Sequence, residues 1–338
     1  MDLTYDALDK SINTELKPLY LLYGGEQYLI DTCINKIKKK FGERILGINY
    51  ILIDETNLDN LISDIEMPAF GYDKKLIVVK NSGLFKKDGR KKTGSPLQDK
   101  IAEYIENNLD IIEESVILVF VEGEADKNIV FEKISKKGIV CNIEELKPIQ
   151  LVKKLKQICN LYKVNVDDIT LNYLVENSGT NLQHLINEIR KLIEYAGEGG
   201  TITIETVNKL SIKQIESVIF ELTDNLAMRK ISKALEILDN LIYQKEPMQK
   251  ILVTLYGHFK KIYLCAIAVK LNKDVVNSLN LKPNQTFLVT KYKKQASYFK
   301  TSELRKIIQG LIDLDYNYKN GKIDLDVGLR SILCSYCS

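Results

Sequence analysis

The residues Leu21-Leu22-Tyr23-Gly24-Gly25-Glu26-Gln27-Tyr28 have the order of a phosphate-binding turn: an apolar run, paired glycines, then a segment able to start a helix. A working nucleotide loop surrounds the phosphates with backbone N–H groups, reaches the β and γ phosphates with a Lys, and holds magnesium with a Ser or Thr hydroxyl. No Gly-Lys-Thr follows here. Glu26 and Asp31 bring negative charge to the place of the phosphates, and Tyr28 with Leu29 brings bulk. The segment therefore reads as a strand-to-helix turn with Gly24 at a tight φ, and Gly24 and Gly25 as a degenerate loop that binds no cofactor. The other half of an ATPase site would be carboxylates after an apolar strand, and Glu122-Gly123-Glu124-Ala125-Asp126 supplies carboxylates. Without a phosphate clamp they read as a solvated acidic loop preceding a helix.

Metal and nucleophile chemistry find less support. His184 and His258 have no Cys or His at ligand spacing, and Cys334-Ser335-Tyr336-Cys337 is a single CxxC pair with no second pair and no βαβ context. No metal site and no catalytic residue is expected. The six cysteines are spread through Lys- and Glu-rich surroundings, which suits packing residues in a reduced compartment.

Three segments have the composition of contact surfaces. The basic run Lys86-Lys87-Asp88-Gly89-Arg90-Lys91-Lys92 lies in a Gly- and Ser-containing loop, so Lys86, Lys87, Arg90, Lys91 and Lys92 are either a solvated surface or contacts to a phosphate backbone. Lys291-Tyr292-Lys293-Lys294 and Tyr298-Phe299-Lys300 interleave aromatics with lysines, as single-stranded nucleic acid sites do, while helical spacing equally makes those aromatics core. In Ile65-Glu66-Met67-Pro68-Ala69-Phe70-Gly71-Tyr72-Asp73, Pro68 stops a helix and Gly71 permits a turn. That loop displays Met67, Phe70 and Tyr72 at the edge of a sheet. Phe70 is then either an anchor for a partner's pocket or a side chain tucked under its own domain.

The elements that must position these residues follow from the apolar pattern. Leu19–Tyr23, Tyr50–Ile53, Lys75–Lys80, Val116–Val121 and Ile139–Asn142 are predicted strands, and runs such as Leu76-Ile77-Val78-Val79 and Val116-Ile117-Leu118-Val119-Phe120-Val121 are apolar on both faces. Helical patterns at Tyr28–Phe41, Leu58–Glu66, Pro96–Asn107 and Asn128–Lys137 alternate with them, which predicts a parallel, doubly wound α/β sheet. After Glu144-Glu145-Leu146-Lys147-Pro148 the strand signal stops, apart from a β-branched interruption at Thr201-Ile202-Thr203-Ile204. Two short helices at Asp167–Glu176 and Asn181–Tyr195 predict a small helical domain over 146–210, and long amphipathic helices from Ser211 predict an all-α bundle over 211–338. The 48 Lys and Arg against 45 Asp and Glu leave a charge of +3, so any nucleic-acid contact must come from a local patch. No run approaches the ~18 apolar residues of a membrane helix, and Met1-Asp2-Leu3-Thr4 does not open a secretory signal. A cytoplasmic protein with no membrane partner is expected.

Four segments in this order resemble the delta subunit of the bacterial DNA polymerase III clamp loader. They are Pro18-Leu19-Tyr20-Leu21-Leu22-Tyr23-Gly24-Gly25-Glu26-Gln27-Tyr28-Leu29-Ile30; Met67-Pro68-Ala69-Phe70 with Lys75-Leu76-Ile77-Val78-Val79-Lys80-Asn81; Gly179-Thr180-Asn181-Leu182-Gln183 with Asn187-Glu188-Ile189-Arg190-Lys191-Leu192; and Ile219-Phe220-Glu221-Leu222-Thr223-Asp224-Asn225-Leu226. The resemblance implies an AAA+-like α/β domain (1–145), a small helical lid (146–210) and a helical collar (211–338). It implies a subunit without an ATP site of its own that binds the sliding clamp (beta) and favours its open form for loading onto primed DNA. It further implies partners of the tau/gamma and delta-prime types, a pentameric assembly and contact with primer-template DNA. Carried over by position, Phe70 is the anchor, with Met67 and Ala69 beside it. Ala69 departs from the larger apolar residue usual there, and Tyr72 is the side chain placed to compensate. The rival readings are an active AAA+ ATPase of a loader or remodelling complex, and a helical adaptor unrelated to replication.

Overall fold

Strands apolar on both faces need helices on both faces, and the computed structural model supplies them. It describes residues 2–86 and 95–335. The chain divides into two units, Met1–Glu145 and Leu146–Ser338.

The first unit runs α1 (Tyr5–Thr14), β1 (Leu19–Tyr23), α2 (Gln27–Phe41), β2 (Tyr50–Ile53), α3 (Leu61–Glu66), β3 (Lys75–Lys80), α4 (Pro96–Asn107), α5 (Leu109–Ser115), β4 (Val116–Glu122), α6 (Ile129–Lys137) and β5 (Ile139–Asn142). All five strands pair in parallel, in the order β2-β3-β4-β1-β5. Leu19, Leu21, Ile77, Val79, Leu118, Phe120 and Val140 share one core with apolar residues of α3 to α6. The alternate residues Tyr20, Leu22, Leu76, Val78 and Val119 are equally buried and point to the other face. There α1 packs on α2 and on β5, and Lys36 of α2 pairs with Asp9 of α1. Each such fully buried aliphatic side chain contributes about 1.5–3 kcal/mol, which is why the central strands tolerate no polar side chain except near their ends.

The second unit begins with α7 (Pro148–Leu161), β6 (Asn165–Val166), α8 (Asp168–Ser178), α9 (Leu182–Ala196), β7 (Thr201–Ile202) and α10 (Ile204–Leu210). The β-branched interruption at Thr201 is a two-residue strand paired in parallel with Asn165–Val166. Then come α11 (Ile215–Ala227), α12 (Ile231–Tyr243), α13 (Met248–Lys270), α14 (Val275–Ser278), α15 (Leu288–Tyr298), α16 (Thr301–Lys319) and α17 (Leu325–Ser335), around one shared core. Main-chain and side-chain bonds tie α8 to this bundle. The Gln214 N–H donates to the Asn177 carbonyl (2.8 Å), the Ser217 hydroxyl donates to the Glu176 carbonyl (2.8 Å), and Lys291 pairs with the Glu176 carboxylate (2.8 Å).

Among the described residues, α13 is the one helix long and apolar enough to cross a membrane by length and composition. Its apolar residues Ile251, Leu252, Leu255, Phe259, Ile262 and Cys265 are buried in the bundle core. His258 is buried with them, against Phe220 (ring centroids 4.2 Å) and Tyr292 (5.4 Å). Gln295 donates its amide hydrogens to Asp224 (2.7 Å) and the Phe220 carbonyl (3.2 Å). Its oxygen is thereby left to accept from His258 Nε2 at 2.8 Å, which fixes the Nε2–H tautomer.

Burial pushes the His258 imidazole from 6.5 down to about 3; the Gln295 bond opposes the shift and the Lys261 charge adds to it. A base depressed in the fold is neutral there, while the unfolded chain takes up a proton below pH 6.5. The associated stability is complete above that pH and is lost as pH falls toward 3. This residue alone should cost about 2 kcal/mol of stability between pH 7 and pH 5. Urea unfolding of the parent and His258→Leu at the two pH values checks it, and an equal pH dependence in both would sink the assignment.

Candidate functional site

Ligand crevices of parallel sheets lie beyond the carboxyl ends of the strands, where the strand order reverses. Here that place is the end of β1 and β4. The Gly24 N–H donates to the Glu122 carbonyl (3.2 Å), the Glu26 N–H to the Ile143 carbonyl (3.0 Å), the Gln27 N–H to the Gly25 carbonyl (3.1 Å), and the Ile143 N–H to the Tyr23 carbonyl (2.6 Å). A phosphate loop keeps such N–H groups for its ligand; in this turn those of Gly24, Glu26 and Gln27 bond within the chain. Gly24 has φ +130°, and a Cβ there would lie 2.3 Å from the Ile143 carbonyl oxygen. Gly25 is exposed and faces the Glu145 side chain. Glu26 and Leu29 are buried, Tyr28 is half-buried, and Asp31 pairs with Lys80 at 3.5 Å.

The acidic stretch after β4 is not uniformly solvated, contrary to the sequence expectation. Glu124 and Asp126 are exposed, but Glu122 belongs to the strand and is buried. Its carboxylate accepts from the Ser82 N–H (2.9 Å) and the Ser82 hydroxyl (2.6 Å). Burial raises its pKa and the Ser82 bonds hold it back. Glu122 thus fastens the end of β3 to β4. Among the described residues no His, Cys, Asp and Glu cluster suited to a metal ion is present. Cys334 is exposed, while Cys337 lies outside the described residues.

The loop between α3 and β3 is built differently. Pro68 has no N–H, so the Asp64 carbonyl loses the donor that would continue the helix. Lys75, at the start of β3 and only 2% exposed, supplies one: its ammonium donates to the carbonyls of both Asp64 and Met67. A cation at a helix C-terminus is favourable for the helix dipole as well. Burial lowers the Lys75 pKa, against the pull of Asp64. Beyond this anchor, the Tyr72 N–H closes a turn on the Ala69 carbonyl (2.7 Å) with Gly71 at φ +87°, the left-handed corner of a type II turn. Phe70 occupies the other corner and is 71% exposed; Met67 is 52% exposed, and Ala69 and Tyr72 are half-buried. Phe70 is therefore not tucked under its own domain. Residue type hid the part Lys75 takes, and the signal for it was Pro68 before a strand that opens on lysine.

Of the basic loop, Lys86 is exposed and its carbonyl accepts from Gln98 (2.9 Å); Lys87, Arg90, Lys91 and Lys92 lie outside the described residues. In the bundle, Tyr292 is 3% exposed and packed on Phe220 and His258, so it is core and not a stacking platform. Phe299 meets Phe259 edge-on, and Tyr298 stays exposed. The lysines are another matter. Met248 to Lys300 contains ten lysines and a single carboxylate, Asp274. Lys250 and Lys291 are paired with Glu246 and Glu176, while Lys260, Lys293 and Lys294 are exposed on α13 and α15, which pack together.

Comparison with known proteins places this geometry in a family. The family model described as DNA polymerase III, delta subunit matches residues 20–144, and that of the DNA polymerase III delta subunit, C-terminal domain, matches residues 216–336. The chain is 31% identical to a probable DNA polymerase III subunit delta of Aquifex aeolicus, over 88% of this chain and 85% of that one. It is 25% identical to DNA polymerase III subunit delta of Bacillus subtilis, over 98% and 96%. A solved structure titled Bacillus subtilis DNA clamp loader delta protein (YqeN) shares the fold, with a TM-score of 0.77 at 23% identity over 98% of this chain and 99% of that one. With both family models seated on the two units and relatives matched along most of their length, this chain belongs to the DNA polymerase III delta subunit family.

Proposed function

We propose that this chain is the clamp-loader subunit that binds the sliding clamp through the loop carrying Phe70, favours the open ring, and does so without hydrolysing ATP. The observation that carries the reading is Phe70 itself, a large apolar side chain exposed at the corner of a tight turn whose base is fixed by a buried lysine. Solvating such a ring has no benefit to the isolated chain, whereas a partner's pocket gains from it. The division of labour into an α/β domain, a lid and a collar over 1–145, 146–210 and 211–338 belongs to the same proposal. So do neighbours of the tau/gamma and delta-prime types.

Opening a ring requires only that the subunit bind the open geometry better than the closed one. Nucleotide energy then enters through neighbouring subunits. Support for an inactive nucleotide turn is chemical: no Lys or Thr follows Gly24-Gly25, and the N–H groups of Gly24, Glu26 and Gln27 are bonded within the chain. The test is a surface-binding assay of the purified chain with the ring-shaped clamp, run beside an ATP-hydrolysis assay. A chain that retains no clamp, or that turns over ATP alone, overturns the reading.

The lysines of α13 and α15 support contact of the same subunit with primer-template DNA, since a local patch is all that a chain of net charge +3 can offer. Exchanging Lys260 and Lys293 for Glu should weaken binding of a labelled primer-template and flatten its log affinity against log salt by about 0.9 for each lysine–phosphate pair removed. An unchanged salt slope in fluorescence anisotropy would move the DNA interface elsewhere.

A further inference from the structure

The Phe70 loop has few bonds of its own, yet one side chain from the sheet reaches into its base. We infer that Lys75 is a positioning residue for clamp binding: by donating to the Asp64 and Met67 carbonyls it sets the direction in which the chain leaves α3, and so where Phe70 is presented. The inference rests on the clamp-binding reading of the loop.

Three observations carry it. Pro68 removes the N–H that would bond the Asp64 carbonyl. Lys75 is 2% exposed although lysine is among the side chains least often buried, so its place needs a specific return, and both its acceptors are main-chain carbonyls at the α3 end. The turn that follows is closed by one main-chain bond, Tyr72 to Ala69. With the ammonium gone, the Asp64 and Met67 carbonyls lose their donor, and the segment from Met67 to Tyr72 is free to leave the α3 end in several directions. Apparent affinity then falls by the fraction of chains that still present Phe70 correctly.

The experiment is a double-mutant cycle measured by surface binding of the clamp to the full chain, with Lys75→Met, Phe70→Ala and both together. Lys75→Met should raise the Kd on the order of fivefold in the Phe70 chain and by less than about twofold in the Phe70→Ala chain, because a residue acting through Phe70 has nothing to position once the ring is gone. Amide hydrogen exchange should speed up over residues 67–73 and stay as it was in β1, β3 and β4. Equal losses in both backgrounds, no loss at all, or weaker affinity with unchanged exchange at 67–73 would each overturn the role. If Phe70→Ala itself leaves the Kd unaltered, the clamp-binding reading of the loop fails, and that result is distinct from a failure of Lys75. Should Lys75→Met not fold, Lys75→Gln takes its place: its amide nitrogen sits one atom nearer the backbone and carries no charge, so a smaller rise in Kd that disappears in the Phe70→Ala chain supports the role, and the same rise in both backgrounds overturns it.

Discussion

Phe70→Ala should weaken binding to the sliding clamp by at least tenfold and leave the melting behaviour of the free chain unchanged. The side chain is 71% exposed, so its truncation removes little from the isolated fold. In the proposed complex the ring would be buried, and a fully buried Phe contributes about 1.5–3 kcal/mol, which corresponds to roughly 10–150-fold in Kd. Met67→Ala should cost less, because Met67 is already half covered. Surface binding of the clamp, with circular dichroism as the fold control, reads both quantities. Unchanged affinity would remove the loop from the interface.

The largest loss of stability is expected from Gly24→Ala. An added Cβ would meet the Ile143 carbonyl oxygen at 2.3 Å and its carbon at 2.6 Å, at a φ of +130° that side chains rarely adopt. Neither partner has room to move: the Ile143 N–H is bonded to Tyr23 and its oxygen accepts from Glu26. Left-handed strain alone costs about 1–3 kcal/mol, and the clash adds to it, for a total of about 3–5 kcal/mol. Against a typical domain stability of about 5–15 kcal/mol, such a variant is marginal. Gly25→Ala is the control, since its Cβ would meet only the flexible Glu145 side chain, at 3.1 Å. Urea unfolding decides between them, and a Gly24→Ala chain within about 1 kcal/mol of the parent would contradict the packing argument.

The strands were legible because parallel strands between helix layers are apolar on both faces, as Leu76-Ile77-Val78-Val79 is. Four of them have the predicted limits, and the other, Val116–Glu122, extends one residue further. Shorter or more polar elements escaped. Tyr5–Thr14 buries only Leu8 and Ile12, too narrow a stripe to announce a helix, and Leu109–Ser115 runs straight into β4 with no stop signal between. Asn165–Val166 is a strand only because Thr201–Ile202 lies beside it, which is tertiary information. At the site, Pro68 and Gly71 marked the loop, while residue type left open whether Phe70 pointed out. Glu122 was read as solvated and Lys75 was not singled out at all, for one shared reason. Ionisable side chains default to solvent in any reading by type, and only the structure reveals the main-chain carbonyls and the serine that receive them.

The strand order carries a consequence for synthesis. β1 has two neighbours, β4 and β5, and Tyr23 pairs with Glu122 on one side and Asn142 on the other. At translation rates of about 5–20 residues per second, the first strand waits roughly 6–24 s before both neighbours exist. Until β4 is made, Leu19-Tyr20-Leu21-Leu22 is apolar with no strand to pair with, and its second edge is covered only when the last strand, β5, leaves the ribosome.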